Sequence, residues 1–260
     1  MKKQKEVKKR IALIDFLRGA AIINMLLYHM AFTFSEMFGF DFFMPYYRFI
    51  GSLPFMEVYF GGIFIVISGI ASSFSRSNTR RGLITFGFAL AINAVTIFIL
   101  PLMGYGDMRI YFGILHLLSV SMLISPLFIK MADKIPAYIG VSACVLLFGL
   151  TYNIGAGYIG LSGDIGITIP EGIRLIPYLL PLGIVGGNVR SLDHYPLFPW
   201  IFMFIMGIYI GRKIKSSKPG PRWYKTVNAP VEWLGRHTLA IYVAHQPVIF
   251  LLGTVLNRLM

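Results

Sequence analysis

Long apolar stretches alternate with short polar loops along most of the chain. An α-helix needs about 20 predominantly apolar residues to cross the hydrocarbon core of a bilayer. Stretches of that length predict about seven membrane-spanning helices, with six and eight as the alternatives, at about 11–32, 56–75, 83–103, 110–130, 136–154, 195–213 and 232–256. The predicted fold class is an all-α, polytopic transmembrane helix bundle that forms a single domain over residues 1–260.

The apolar segment IRLIPYLLPLGIVGG (173–187) is the ambiguous one. It is short for a span, and Pro177 and Pro181 interrupt helical hydrogen bonding within it. If it crossed the membrane, the basic run RKIKSSKPGPRWYK (212–225) would lie outside the cell. We therefore predict that this segment is re-entrant or interfacial, which leaves about seven spans.

Composition supports a membrane protein, since 56% of the residues are hydrophobic and only 13% are charged. The net charge of +13 does not indicate a nucleic-acid partner, because Lys and Arg are concentrated in loops on one side of the predicted spans. Such loops are usually cytoplasmic. We predict a multi-pass protein of the plasma membrane, with the lipid bilayer as its partner and a cytoplasmic N-terminus.

Cys144 is the one cysteine of the chain, which excludes an intrachain disulfide and a cysteine metal site. We interpret it as a small packing residue. No His or Glu pair recurs at ligand spacing on one helix apart from the loose pair His237 and His245, so no metal site is predicted.

The first span, RIALIDFLRGAAIINMLLYHM (10–30), carries Asp15, Arg18 and His29. A charged residue inside a bilayer helix costs a few kcal/mol and usually has a function. Arg18 and His29 are separated by eleven residues, about three helical turns plus 20°, so they share a face at roughly 16 Å along the axis. The pattern indicates a site with a cation near one surface and an imidazole deeper in the membrane.

His116 lies early in the fourth span, at a depth that matches His29 in the first. Imidazole is the usual general base near neutral pH. His29 and His116 are therefore the candidate catalytic residues. The alternative for either residue is a hydrogen bond to a neighbouring helix.

Span seven carries a polar stripe at helical spacing, which either lines a substrate site or bonds neighbouring helices. With other polar residues near the spans, the candidate substrate-lining set is Asp15, Glu57, Asp193, His194, Thr238, Tyr242 and His245. Asp15 has a second interpretation as the ion-pair partner of Arg18. Guanidinium groups suit phosphate geometry, so the candidates for binding a phosphorylated ligand are Arg18, Arg76, Arg80, Arg81 and Arg236.

Five motifs occur in order along the chain: IDFLRGAAIINMLLYH, FGGIFIVISGI, IYFGILHLLSV, DHYPLFPWIFMFIMGIYIG and WLGRHTLAIYVAHQPVI. Together they resemble the heparan-alpha-glucosaminide N-acetyltransferase catalytic-domain family over nearly the whole chain. The small residues of the second motif suit close helix packing. The opening D-x-x-R-G, with a histidine eleven residues after the arginine, also resembles membrane acyltransferases of the O-antigen acetylase type.

The resemblance implies acetyl-CoA as a cytoplasmic acyl donor and a sugar-like acceptor on the other side of the membrane. If CoA phosphates lay near Arg18 and the other arginines, the spacing would place the thioester near His29 and His116. One departure concerns the active histidine. Lysosomal members have Asn at the position of His29 and their histidine in the loop after span one, whereas residues 30–56 contain no histidine here.

The leading hypothesis is an integral-membrane acyltransferase in which His29 deprotonates a hydroxyl or amine. His116 would orient that acceptor or hydrogen-bond the oxyanion. A transporter, in which the same polar residues line a path without bond-forming chemistry, is the alternative. The sequence leaves the acceptor, the acyl chain and the oligomeric state open, with a homodimer among the options. It also leaves open whether the acyl group is transferred directly or through a covalent acyl-histidine.

Overall fold

Helices form nearly all the regular structure in the computed structural model, which describes residues 10–53, 55, 56, 58–102, 104, 108–186, 191–218 and 220–259. The α-helices are α1 (Ala12–Phe32), α2 (Met44–Gly51), α3 (Ile63–Phe74), α4 (Asn78–Ala94), α5 (Leu100–Leu102), α6 (Ile114–Ala132), α7 (Ala137–Thr151), α8 (Glu171–Arg174), α9 (Leu197–Ser216), α10 (Ala229–Arg236) and α11 (Thr238–Leu259). Wider π-helical turns extend or precede three of them, at Thr33–Met37, Val58–Gly62 and Val95–Ile99.

Six of the described helical segments are long and apolar enough to cross a membrane: Ala12–Met37, Asn78–Leu102, Ile114–Ala132, Ala137–Ala156, Leu197–Ser216 and Thr238–Leu259. The predicted second span corresponds to the shorter apolar helix Val58–Phe74. The predicted fold class, an all-α polytopic helix bundle, is confirmed.

The chain forms two compact units. The first unit consists of Met1–Phe64 with Ser217–Met260 and contains α1, α2, α10 and α11. The second unit, Ile65–Ser216, contains most of α3 together with α4 to α9.

In the first unit, α1 packs against α10 at a backbone-to-backbone approach that two glycines permit. A Cβ atom at Gly19 would overlap the carbonyl oxygen of Val231, and one at Gly235 would overlap that of Asp15. Asn228 begins α10, since its side chain accepts a hydrogen bond from the backbone N–H of Val231. The contact therefore needs glycine on both helices.

The predicted seventh span, 232–256, is wrong at its start, because residues 229–236 form the separate helix α10 and the long helix begins at Thr238. His237 has a non-helical backbone, with φ −110° and ψ 18°. Its Nδ1 lies 2.8 Å from the carbonyl oxygen of Trp233, where an Nδ1–H group donates to the end of α10. The break separates the exposed residues Arg236 and His237 from the buried Thr238.

In the second unit, small residues bring α3 and α9 into close contact, as the sequence predicted for span two. A Cβ atom at Gly69 would overlap the carbonyl oxygen of Phe204, and one at Gly207 would overlap that of Val66. The Ser73 hydroxyl donates to the carbonyl oxygen of Ile208 over 3.1 Å. Small residues at the interface are a frequent means of close packing between membrane helices.

The core of the second unit lies between α7 and α9, where Cys144 packs with Ile201, Ile205 and Tyr209. The predicted packing role of Cys144 is thus confirmed. In α6, the interior Pro126 has no N–H to donate to the Met122 carbonyl. The Ser125 hydroxyl donates to that oxygen instead, over 2.8 Å.

The segment 173–187 contains no helix that could cross a bilayer within its described residues. α8 has four residues and the 3-10 helix Pro177–Leu182 has six. A short antiparallel hairpin of β1 (Tyr158–Gly160) and β2 (Gly166–Thr168) precedes them and was not predicted from the sequence.

The α3–α9 contact generates a stability prediction. Gly207→Ala should lower the free energy of unfolding by about 1–3 kcal/mol, the usual cost of overpacking, because the added methyl group meets the Val66 carbonyl. Gly87→Ala is the matched control, since a Cβ atom there meets nothing within 4 Å. Thermal unfolding in lipid nanodiscs measures both variants, and equal melting temperatures would contradict the proposed contact.

Candidate active site

The polar faces of α1 and α11 meet in the first unit. Arg18 Nη2 donates to the hydroxyl of Thr238 over 2.5 Å. Eleven residues further along α1, the His29 ring lies against the His245 ring, with the centroids 4.7 Å apart and the planes at 85°. The predicted shared face of Arg18 and His29 is therefore observed, and the two helices run parallel.

Hydrogen bonding defines the tautomer of His29. Its Nδ1 lies 3.0 Å from the carbonyl oxygen of Met25, one turn earlier in α1. A carbonyl oxygen only accepts, so Nδ1 carries the proton and Nε2 keeps its lone pair. The half-buried ring can then take a proton at Nε2, as a general base must.

His245 has the same arrangement on α11. Its Nδ1–H donates to the carbonyl oxygen of Tyr242, and the rings of the two residues lie 5.2 Å apart. Its Nε2 is buried and has no hydrogen-bond partner within the described structure. The predicted stripe of Thr238, Tyr242 and His245 thus contributes a hydroxyl and a second imidazole to the face that meets α1.

A further contact holds the same two helices just beyond the histidines. Gln246 Nε2 donates to the hydroxyl of Thr33 over 3.1 Å, where the π-helical turn Thr33–Met37 begins. Sequence reasoning missed both residues. The signal was present, because Gln246 follows His245 directly and Thr33 lies one turn after His29.

Asp15 is buried and forms an ion pair with Arg10. Arg10 Nη2 donates to Asp15 Oδ1 over 3.0 Å, and the Arg10 side chain is largely exposed. The Asp15 carboxylate therefore has a structural partner near the start of α1. Its predicted place in a substrate-lining set stays a prediction.

His116 lies in the second unit, at the start of α6, with 5% of its surface exposed. The backbone N–H of Gly113 donates to its Nδ1 over 3.2 Å, so the proton of the neutral ring is on Nε2. That Nε2 is buried and has no partner in the described part of the chain. His116 therefore offers a hydrogen-bond donor, the opposite of His29.

Asp193 and His194 also belong to the second unit. Asp193 Oδ2 accepts from the backbone N–H of Ile114 over 3.1 Å and so caps α6, in a space that a side chain at Gly113 would fill. Burial lowers the pKa of His194, so its ring is neutral at neutral pH. His194 Nδ1 is buried and unpartnered among the described groups.

The predicted arginines are divided between the two units. Arg18 and the exposed Arg236 belong to the first, whereas Arg76, Arg80 and Arg81 belong to the second, around the start of α4. There the Ser77 hydroxyl caps the helix by accepting from the Arg80 N–H over 3.2 Å. Glu57, from the predicted lining set, lies outside the described residues.

No group of three or more His, Cys, Asp or Glu residues that could hold a metal ion occurs in the described ranges. The described groups at the α1–α11 face include two imidazole lone pairs, the hydroxyls of Thr238 and Thr33, the Gln246 amide and the Arg18 guanidinium group.

The chain was compared with family models, curated proteins and solved structures, and one family model matches it. The family model for the heparan-alpha-glucosaminide N-acetyltransferase catalytic domain matches residues 10–247 of the 260-residue chain. No curated protein matches the chain significantly, and neither does any solved structure. The match covers α1 and most of the helical bundle, and extends to the end of the His245 turn in α11. The chain therefore belongs to the heparan-alpha-glucosaminide N-acetyltransferase catalytic-domain family of membrane acetyltransferase-like proteins.

Proposed function

We propose that the protein is an integral-membrane acyltransferase. It moves an acetyl group from cytoplasmic acetyl-CoA to a hydroxyl or amine of a sugar-like acceptor on the other side of the plasma membrane. The observation that carries the proposal is the α1–α11 face, where Arg18 and His29 lie on one side of a spanning helix and both contact α11. The family supplies the reaction class.

His29 is the general base of this proposal. Its Nε2 takes the proton from the acceptor oxygen or nitrogen as that atom attacks the thioester carbonyl. The C–S bond then breaks, and the departing thiolate receives the proton, so the reaction has no net proton change. His116 has the opposite tautomer, so its proposed part is hydrogen-bond donation to a carbonyl oxygen rather than proton abstraction.

Arg18 is the proposed ligand of a CoA phosphate in the first unit. It lies roughly 16 Å along the helix axis from His29, and CoA carries its phosphates and its thioester at opposite ends of a flexible arm. Arg236 and the group Arg76, Arg80 and Arg81 are further candidates, each in its own unit. Guanidinium groups bind phosphate through paired, charge-assisted hydrogen bonds.

The proposed orientation follows from the basic residues of the second unit. The Lys215 ammonium group donates to the Ser73 carbonyl oxygen over 3.3 Å, and Arg212 pairs with Asp133. These contacts bring the ends of α3, α6 and α9 to one side of that unit. Because basic residues mark cytoplasmic ends, this side is the proposed cytoplasmic side.

The assignment of His29 predicts that His29→Ala lowers acetyl transfer by about 100-fold or more, the usual contribution of general-base catalysis. Transfer from radiolabelled acetyl-CoA is measured in proteoliposomes with glucosamine and glucose as acceptor probes. His237→Ala is the control, since His237 is exposed and its ring packs against that of Trp233 at an interplanar angle of 35°. Full transfer by His29→Ala would refute the assignment of His29 as the base, and full transfer by His116→Ala as well would leave neither histidine with a part in the reaction. Label movement without acetylated product would indicate a transporter.

The assignment of Arg18 predicts that Arg18→Gln weakens binding of acetyl-CoA about tenfold, which corresponds to about 1.4 kcal/mol. Concentration-dependent thermal stabilisation gives the affinity, and the exposed Arg258 supplies the control variant Arg258→Gln. Acetyl-pantetheine lacks the nucleotide phosphates, so it should bind the wild type and Arg18→Gln equally well. An equal loss for both donors would show that Arg18 holds the helices and not the phosphates.

A further inference from the structure

His245 is a second imidazole directly beside the proposed base. It projects from α11 onto the same face of α1, with ring centroids 4.7 Å apart in an edge arrangement. Both residues belong to the first unit. A histidine between two membrane helices often has a structural role, in which it hydrogen-bonds one helix to the other. That role would require its polar atoms to be hydrogen-bonded.

His245 is not fully bonded in that way. The side chain is 8% exposed, and its Nδ1–H donates to the Tyr242 carbonyl oxygen. Its Nε2 lone pair is buried without a hydrogen-bond donor among the described residues. Leaving such an acceptor unsatisfied costs about 1–3 kcal/mol, so a structural role alone gives no reason to bury it.

Among the residues that the structure describes, no carboxylate is hydrogen-bonded to either ring, although a carboxylate is the usual partner of a catalytic imidazole. A carboxylate normally accepts from the ring and stabilises the imidazolium that forms. Here both Nδ1 atoms are taken by backbone carbonyl oxygens, of Met25 and Tyr242. Two carboxylates form ion pairs with other described residues, Asp15 with Arg10 and Asp133 with Arg212, and neither pair involves a histidine.

We infer that His245 accepts the proton from His29, so that the two imidazoles share one proton during acetyl transfer. This inference rests on the proposed function. When His29 Nε2 takes the proton of the acceptor, both nitrogens of its ring carry hydrogen. The new N–H bond at Nε2 then breaks as the lone pair of His245 Nε2 binds the proton, a step that requires the two Nε2 atoms to come within hydrogen-bond distance or to be linked by one water molecule. The same proton returns through His29 to the departing thiolate, which leaves both rings neutral.

The contact between Gln246 and Thr33 supports this arrangement. It fixes α11 to α1 one residue after His245 and one turn after His29. A relay between two rings needs a constant distance between them. Because Gln246 donates to Thr33, a hydrogen bond as well as apolar packing maintains the distance between the His29 and His245 rings.

The test uses two variants of His245 in the full-length protein. His245→Gln keeps an oxygen acceptor near the place of Nε2 but cannot take a proton, and His245→Ala leaves space for added imidazole. We expect kcat to fall about 10- to 100-fold in both variants, with KM for acetyl-CoA and for the acceptor changed less than threefold. Imidazole, but not pyrrole, should restore kcat of His245→Ala, because pyrrole has the same shape without a basic lone pair.

The outcomes separate the inference from the proposed function. Failure of the wild type to transfer acetyl groups would overturn both. Transfer that requires His29 but proceeds at the wild-type rate in His245→Gln would overturn the relay alone, as would equal rescue by pyrrole or no rescue by imidazole. The control His237→Ala should keep wild-type kcat, since the exposed His237 ring packs in a tilted arrangement against Trp233, with the centroids 4.4 Å apart.

Discussion

Polar groups inside a bilayer must be satisfied by the protein, and this constraint determines the arrangement of the first unit. Arg18, His29 and Thr33 occupy α1 and its π-helical extension, where lipid offers no hydrogen bonds. Arg18 and Thr33 have hydrogen-bond partners on α11, at Thr238 and Gln246. The His29 ring contacts His245 on the same helix, while its Nδ1–H donates to Met25 within α1 itself. The contacts between the polar faces of α1 and α11 therefore define the position of the candidate site.

Close backbone contact provides the frame in which these side chains lie. Gly19 and Gly235 let α10 press against the start of α1, and the chain turns at His237 into α11 directly afterwards. This turn places Thr238, the first residue of α11, within hydrogen-bond distance of Arg18. Glycines also permit a close backbone contact in the second unit, where Gly69 and Gly207 lie between α3 and α9.

Helical periodicity alone was sufficient to predict several features of the site. The common face of Arg18 and His29 and the stripe of Thr238, Tyr242 and His245 follow from 3.6 residues per turn. That the two faces meet could not be deduced, because helix pairing depends on packing between distant segments. The ion pair of Asp15 shows the limit, since sequence spacing suggested Arg18, whereas the carboxylate binds Arg10 and Arg18 reaches α11.

Other features depend on the backbone and left little signal in the sequence. The break at His237 lies in WLGRHTLAI, which has the composition of a continuous helix. The tautomers of His29 and His116 depend on whether Nδ1 meets a carbonyl oxygen or an N–H group. The roles of Asp193 in capping α6 and of Gly113 in making room for it required the fold.

The central claim is that His29 presents a basic Nε2 inside the membrane because Met25 holds its Nδ1–H. Solid-state NMR of the protein with 15N-labelled histidine in lipid bilayers tests this directly, with the His29 signals assigned by their loss in His29→Gln. The predicted result is a neutral His29 ring protonated on Nδ1 and a neutral His116 ring protonated on Nε2. A His29 ring that carries its proton on Nε2 would contradict the account.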